Sequence, residues 1–424
     1  MSLAEKTMQD AQACNAFLRV FDPPLVEAQD GPLSGSRISV KDNVSLAGYP
    51  TTGACPAFET LVLPENGSVT RLKEAGAAIV GKTNLHELAF GITGANAHTG
   101  DTLNPVNKDY LTGGSSAGAA ASVATGACEA AIGTDTGGSC RIPAAHCGIV
   151  GYRPSIGRYD GAGILTLSKT RDTLGLLTKD MATLRRVDGV MALAGAQEHQ
   201  VQPEETTLGL VEPSAFFPVS DPAVLEAYEA GVAALKAAGF QTKAIDLSAA
   251  IAAHEGCGFA IALYETAQSM ATFARDHLGL SLADFAERIA SADVRGLIES
   301  QAGPDAVPEA MYREAMEVHL PALRQAFVAA LSGVDALVYP CMPVGPVQAG
   351  SGEMMHVAGQ DVPAFPATTA MTGPDSTAGQ PSITLPCGTA NGFPTGLMLV
   401  GAVGADDHLL AIAASAEAAL GERA

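Results

Sequence analysis

Small residues dominate the chain between Thr112 and Gly151, and this limits what the chain can fold into. Gly113-Gly-Ser-Ser-Ala-Gly118 runs into an Ala-rich helical stretch ending near Ala127, and Gly133-Thr-Asp-Thr-Gly-Gly-Ser-Cys-Arg-Ile-Pro143 follows. Side chains of this size let backbones approach closely and let turns adopt conformations that a larger substituent forbids. The segment therefore reads as a tightly packed junction, and the elements around it read as α/β. Ile38-Ser-Val-Lys-Asp-Asn-Val-Ser-Leu46 alternates β-branched with polar residues, a short strand running into a loop with Lys41 at or just past the strand end. Residues 67–77 predict a helix opening at Ser68 with Val69 and Leu72 on one face, and Ala78-Ile-Val-Gly81 predicts a buried strand. Such helix-then-strand alternation points to α/β architecture.

From Pro222 to about Leu331 the pattern turns helical and Ala-rich, with Phe259, Tyr264, Met270, Phe273 and Phe285 as the expected inward bulk. This region reads as a helical cover over one sheet face. Strand signals return over 335–400, in Ala336-Leu-Val-Tyr-Pro340, Ser382-Ile-Thr-Leu-Pro386 and Thr395-Gly-Leu-Met-Leu-Val400, before a last helix from Asp406. No internal repeat or low-complexity linker divides the 424 residues. The expectation is a single domain over 1–424, with a mainly helical insertion at about 215–332.

A net charge of −21, from 24 basic and 45 acidic residues, argues against nucleic acid as a partner, because such binding needs Lys and Arg to neutralise phosphates. With 47% hydrophobic and 16% charged residues the chain has ample material for a core. No run reaches the roughly 18 apolar residues of a membrane helix, and residues 1–30 hold no signal-peptide core. The expected location is the cytoplasm, with no membrane partner. The eight cysteines are scattered without a CxxC pair and read as reduced, buried thiols. His86-Glu87 lacks the second histidine of a zinc-protease helix, so no metal is expected.

The turn Gly137-Gly138-Ser139 offers several free N–H groups around one hydroxyl, which suits an oxyanion hole beside a nucleophile. A serine hydroxyl must lose its proton during attack, so a base must lie within hydrogen-bond reach. No histidine stands in an obvious catalytic frame; the nearest, His146, reads equally well as a core residue. A lysine can serve if burial keeps it neutral, and Lys41, among Val40, Asn43 and Val44, is suitably placed.

In combination these pieces resemble the amidase signature enzymes. The resemblance is carried by the stretch from Gly113 to Gly126, by Gly133 to Ala144, and by Cys147-Gly-Ile-Val-Gly-Tyr-Arg-Pro154. Val40-Lys-Asp-Asn-Val44, Gly81-Lys-Thr-Asn-Leu-His-Glu-Leu-Ala-Phe-Gly91, Thr170-Arg-Asp-Thr-Leu-Gly175 and Gly392-Phe-Pro-Thr-Gly-Leu-Met-Leu-Val-Gly401 extend it, leaving only about 190–335 unmatched. The resemblance implies a large mixed β-sheet covered by helices on both faces. It also implies an amidohydrolase that cleaves the C–N bond of a carboxamide, with no cofactor. Ser139 would be the nucleophile, Ser115 the bridging serine after a cis peptide, and Lys41 the base. The 24 residues from Ser115 to Ser139 match the family's spacing and select Ser115 over Ser116. The N–H groups of Thr136, Gly137, Gly138 and Ser139 would hold the oxyanion.

Where the family usually has glycine this chain has Ala117, which would be strained if the backbone there needed a positive φ. Arg141 is expected to pair with Asp135, and Arg171 with Asp172. Thr83-Asn-Leu-His-Glu-Leu-Ala-Phe-Gly-Ile-Thr93, Thr170-Arg-Asp-Thr173 and Gly373-Pro-Asp-Ser-Thr-Ala-Gly379 resemble the branch of mandelamide and indoleacetamide hydrolases, which act on primary arylacetamides. The last motif departs from the branch's usual Asp-Pro-Gly-Ser-Asn-Ala-Gly, so small aliphatic amides and ureido compounds stay open as substrates. Two other readings compete. Gly114-Ser-Ser-Ala-Gly118 also spells the nucleophile elbow of α/β-hydrolases, with Ser116 as nucleophile, but the segment before it is loop-like. A glutaminase subunit of a tRNA-dependent amidotransferase shares the signature, whereas Ile142 and the Thr-Arg-Asp-Thr run depart from that branch. The expected partner is a small-molecule amide, and a homodimer is compatible with the sequence.

Overall fold

The computed structural model describes residues 3–421 apart from 29, 198 and 353. Its strands, in chain order, are β1 (Phe17–Leu25), β2 (Arg37–Lys41), β3 (Ala78–Thr83), β4 (Ala130–Asp135), β5 (Val150–Arg153), β6 (Thr173–Thr178), β7 (Thr207–Val211), β8 (Gln241–Ile245), β9 (Ala336–Pro340), β10 (Met354–Val357), β11 (Gln360–Pro363), β12 (Ser382–Ala390) and β13 (Phe393–Val400). Eleven of them form one sheet in the order β1-β3-β2-β4-β6-β5-β12-β13-β9-β7-β8, and β10 and β11 form a separate hairpin. The sheet is mixed. β3, β2 and β4 run parallel, as do β9, β7 and β8, while the strands between these two groups pair antiparallel.

Alternation along the strands builds two cores. Ile38, Val40, Ile132, Leu174, Leu176, Ile383, Leu397 and Leu399 face one side, packed with residues from the helices 67–74, 181–191, 222–237 and 406–420. Their neighbours Leu337, Tyr339, Met398 and Val400 face the other, where the helices Arg141–Cys147, Gly258–Phe273 and Leu320–Ala330 cover them. Helices therefore lie on both faces, as expected for the α/β class.

The small residues fill the junction between sheet and helices. Ala117–Ala124 is a helix whose residues from Ala117 to Val123 are all buried, and it packs by Ala119, Ala120 and Val123 against Val80, Ala131 and Leu177. A Cβ on Gly118 would stand 2.2 Å from the carbonyl oxygen of Ala16, so that position admits no side chain. Ala117 lies in the first turn of this helix and is not among the residues with positive φ, so the backbone there tolerates its methyl.

Two expectations are corrected. The helix at 67–74 begins one residue earlier than predicted, because Asn66 caps it through hydrogen bonds from the N–H groups of Ser68 and Val69. The mainly helical region 215–332 does not cover one sheet face only: its helix Pro222–Ala237 packs on the face opposite Gly258–Phe273 and Leu320–Ala330, and β8 after it pairs parallel with β7 and extends the main sheet. Of the expected inward bulk, Met270 and Phe285 are buried and Tyr264 stacks on Tyr312, but Phe259 is 60% exposed.

Candidate active site

Lys41 is the last residue of β2, and alternation places it on the same face as Ser39, whose Oγ meets Ser122 Oγ of the helix 117–124 at 3.0 Å. That face carries the turn before the helix. The Gly114-Ser115 peptide is cis, and Lys41 Nζ lies 2.8 Å from Ser115 Oγ and 2.8 Å from Thr134 Oγ1. Thr134, near the end of neighbouring β4, also accepts a hydrogen bond from Asn43 Nδ2 at 3.0 Å. Lys41, Ser115 and Thr134 are all buried. Burial pushes the Lys41 ammonium down to about 8, against the pull of Asp135 and Asp172. The lysine is therefore near its point of neutrality while still hydrogen-bonded.

Ser139 follows from the same end of β4, which closes at Asp135. The chain turns through 136–139 into the helix Arg141–Cys147, and the Ser116 N–H donates to the Ser139 carbonyl at 3.1 Å, which brings Ser139 beside Ser115. Ser139 is 6% exposed whereas Ser115 is fully buried, so of the two it is Ser139 that opens to the surface. The turn is held from outside. Asp135 accepts hydrogen bonds from the N–H groups of Gly138, at 2.8 Å, and Cys140, at 3.0 Å. Thr372 Oγ1 donates to the Gly137 carbonyl at 2.7 Å, and Thr136 Oγ1 donates to Asp172 at 2.6 Å. Gly138 takes φ +124, a conformation that favours glycine.

Of the four N–H groups expected in an oxyanion hole, that of Gly138 is committed to Asp135 and is withdrawn from the set. Those of Thr136, Gly137 and Ser139 are not used by the fold among the described residues. Asp135 itself is paired with Arg141, as expected, and also with Arg153 and, through Arg141, with Asp375. The expected pair of Arg171 with Asp172 does not form. Asp172 is taken up by Thr136 Oγ1 and the N–H groups of Leu167 and Ser168, while Arg171 donates to the carbonyls of Thr136 and Gly258. Ser116 is fully buried and its hydroxyl donates to the Thr134 carbonyl at 3.2 Å, which suits a structural residue and not an exposed elbow nucleophile. His146 is buried and held neutral, its pKa pushed down to about 4 by desolvation, and it makes no hydrogen bond to Lys41, Ser115 or Ser139.

Thr134 escaped the sequence reading, although its position five residues before Ser139 in the small-residue segment was visible. Among the described residues no group of three His, Cys, Asp or Glu side chains is placed to hold a metal ion, and no helix is long and apolar enough to cross a membrane.

Comparison with known proteins agrees in family with this geometry. The family model described as Amidase matches residues 22–410. An indoleacetamide hydrolase of Agrobacterium vitis is 34% identical over 397 residues, covering 92% of this chain and 85% of the relative. A mandelamide hydrolase of Pseudomonas putida is 31% identical, covering 99% of this chain and 83% of the relative. A crystal structure of an amidase superposes with a TM-score of 0.85 at 32% identity, over 99% of this chain and 96% of that one. Matched over nearly its whole length in sequence and in fold, the chain belongs to the amidase family and is an amide hydrolase.

Proposed function

We propose that the protein hydrolyses a primary carboxamide to carboxylate and ammonia through an acyl-enzyme on Ser139, with arylacetamides as the substrate class. The reading is carried by one observation, the buried Lys41 Nζ 2.8 Å from Ser115 Oγ, with Ser139 beside that serine. Neutral Lys41 accepts the proton of Ser115 as Ser115 accepts that of Ser139, and Ser139 Oγ attacks the acyl carbon. The N–H groups of Thr136, Gly137 and Ser139 receive the oxyanion. The proton returns through Ser115 to the leaving nitrogen, ammonia departs, and water cleaves the acyl ester by the same relay. The arylacetamide class is supported by the likeness to indoleacetamide and mandelamide hydrolases. The eight cysteines, all buried and none in a disulfide, suit a reducing cytoplasm.

Ammonia release from phenylacetamide, mandelamide, indoleacetamide, malonamate and glutamine tests the reading, with Ser139→Ala and Ser116→Ala as controls. Turnover of an arylacetamide that vanishes in Ser139→Ala and survives in Ser116→Ala is the expected result. Activity that persists in Ser139→Ala overturns the nucleophile, and turnover of glutamine alone moves the protein to the glutaminase reading.

A further inference from the structure

Arg171 is the buried cation near the site that the reaction above leaves without a task. Arg141 and Arg153 sit on Asp135, but among the described residues Arg171 pairs with no carboxylate. Its guanidinium instead serves two backbone carbonyls, Nε donating to Thr136 O at 3.2 Å and Nη1 to Gly258 O at 2.8 Å. Burying a guanidinium without an anion is costly, and two carbonyls alone could be satisfied by a neutral donor.

The position of those carbonyls shows what the charge does. The Thr136–Gly137 peptide is not among the cis bonds, so its C=O and N–H point in opposite directions. Anchoring the Thr136 oxygen therefore fixes the direction of the Gly137 N–H, one of the donors that the fold leaves unused. A cation on a peptide oxygen also draws electron density through the amide and strengthens its N–H as a donor. The next peptide is already fixed by Thr372 Oγ1 on the Gly137 carbonyl and by Asp135 on the Gly138 N–H. Arg171 supplies the constraint that these leave out.

We propose that Arg171 is a positioning residue for the oxyanion loop, which holds and polarises the Gly137 N–H by anchoring the Thr136 carbonyl and ties the loop to the helix 258–273 through Gly258. The proposal rests on the Ser139 acyl-enzyme reading. The anchored N–H matters most when negative charge develops on the acyl oxygen, so its loss appears in kcat and not in KM.

Arg171→Met and Arg171→Lys, assayed on whichever panel amide the wild type cleaves best, test the role, with thermal unfolding as the check on folding. In the Met variant kcat is expected to fall roughly 10- to 100-fold, less than the 10²–10³ of deleting an oxyanion donor outright, with KM held within about twofold. The Lys variant, which keeps the charge and can still reach one carbonyl, recovers part of that loss. Wild-type kcat in the Met variant overturns the proposal. So does a raised KM at unchanged kcat, which makes Arg171 a contact to the acyl group. If the Met variant does not fold, the Lys variant decides: a kcat lowered by at least about fivefold at constant KM supports the role, and an unchanged kcat removes it. Ser139→Ala, run alongside, separates the two levels, because activity surviving there defeats the acyl-enzyme reading whatever Arg171 does.

Discussion

Lys41 works as a base only in its neutral form, and burial brings its pKa down to about 8. Below that value kcat/KM should rise by about tenfold per pH unit, then level off above it. A profile of kcat/KM from pH 6 to 10 on the best amide checks this, and a flat profile through pH 8 removes Lys41 as the base. Thr134 fixes which way the amine points, since one Nζ hydrogen goes to Thr134 Oγ1 and leaves the lone pair for Ser115. Thr134→Val keeps the shape and removes that acceptor, so under the proposed mechanism kcat/KM should drop roughly 10-fold while Ser139 stays in place. Lys41 and Ser139, proposed as base and nucleophile, could be singled out in the sequence because their chemistry lies in the side chain and their settings are a strand end and a glycine turn, while Ser115 came only from the family resemblance and its spacing. Arg171 was misread for the opposite reason. Its partners are the carbonyls of Thr136 and Gly258, and no residue letter records where a carbonyl points.

At the scale of elements the site depends on one carboxylate that gathers four of them. Asp135, at the end of β4, takes Arg141 from the helix 141–147 and Arg153 from β5, and Arg141 reaches on to Asp375 in the helix Gly373–Ala378. Burial by itself would raise the Asp135 carboxyl, but the guanidiniums of Arg141 and Arg153 hold it well below the usual carboxylate range. Its contribution to stability is therefore present above the unfolded value near 3.9 and fades as the pH falls below that. Asp135→Asn leaves the buried Arg153 without a carboxylate and Arg141 with Asp375 alone, and should lower unfolding stability by about 3–5 kcal/mol at pH 7. Denaturant titrations of both proteins check it, with the gap expected to narrow only below about pH 4. β2, β3, β9 and β13 were readable in sequence because they alternate or run apolar, whereas β4, which carries Thr134 and Asp135, was read only as part of the small-residue segment. β8 was not: Gln241-Thr-Lys-Ala-Ile245 is a largely exposed edge whose strand character comes from parallel pairing with β7.

Across the whole molecule the helical region and the loops of the main sheet are joined at a few polar points. Besides Arg171 on Gly258, the Glu87 carboxylate accepts the N–H groups of Ala290 and Ser291, and His86 Nε2 meets Asp293 at 2.9 Å. Glu265 makes the densest link. From the helix 258–273 it accepts Ser168 Oγ at 2.5 Å and both the N–H and Oγ1 of Thr170 at 3.1 and 3.0 Å, and its other oxygen takes Tyr312 OH at 2.8 Å. The segment it grips runs directly into Arg171 and Asp172, which touch the oxyanion loop. Glu265→Leu removes both acceptor oxygens and strands the donors of Ser168, Thr170 and Tyr312, each costing about 1–3 kcal/mol if left unpaired in a buried site. Relaxation towards water offsets part of this, so a loss of about 3 kcal/mol in unfolding stability is expected. The link also predicts a pattern that simple destabilisation does not give. Amide hydrogen exchange should quicken in 258–273 and 167–172 together while β4, β12 and β13 keep their protection, and kcat should fall on every amide of the panel alike. Exchange that quickens in the helix alone would mean that Glu265 holds only its own element, and that the helical region reaches the oxyanion loop through Arg171 without it.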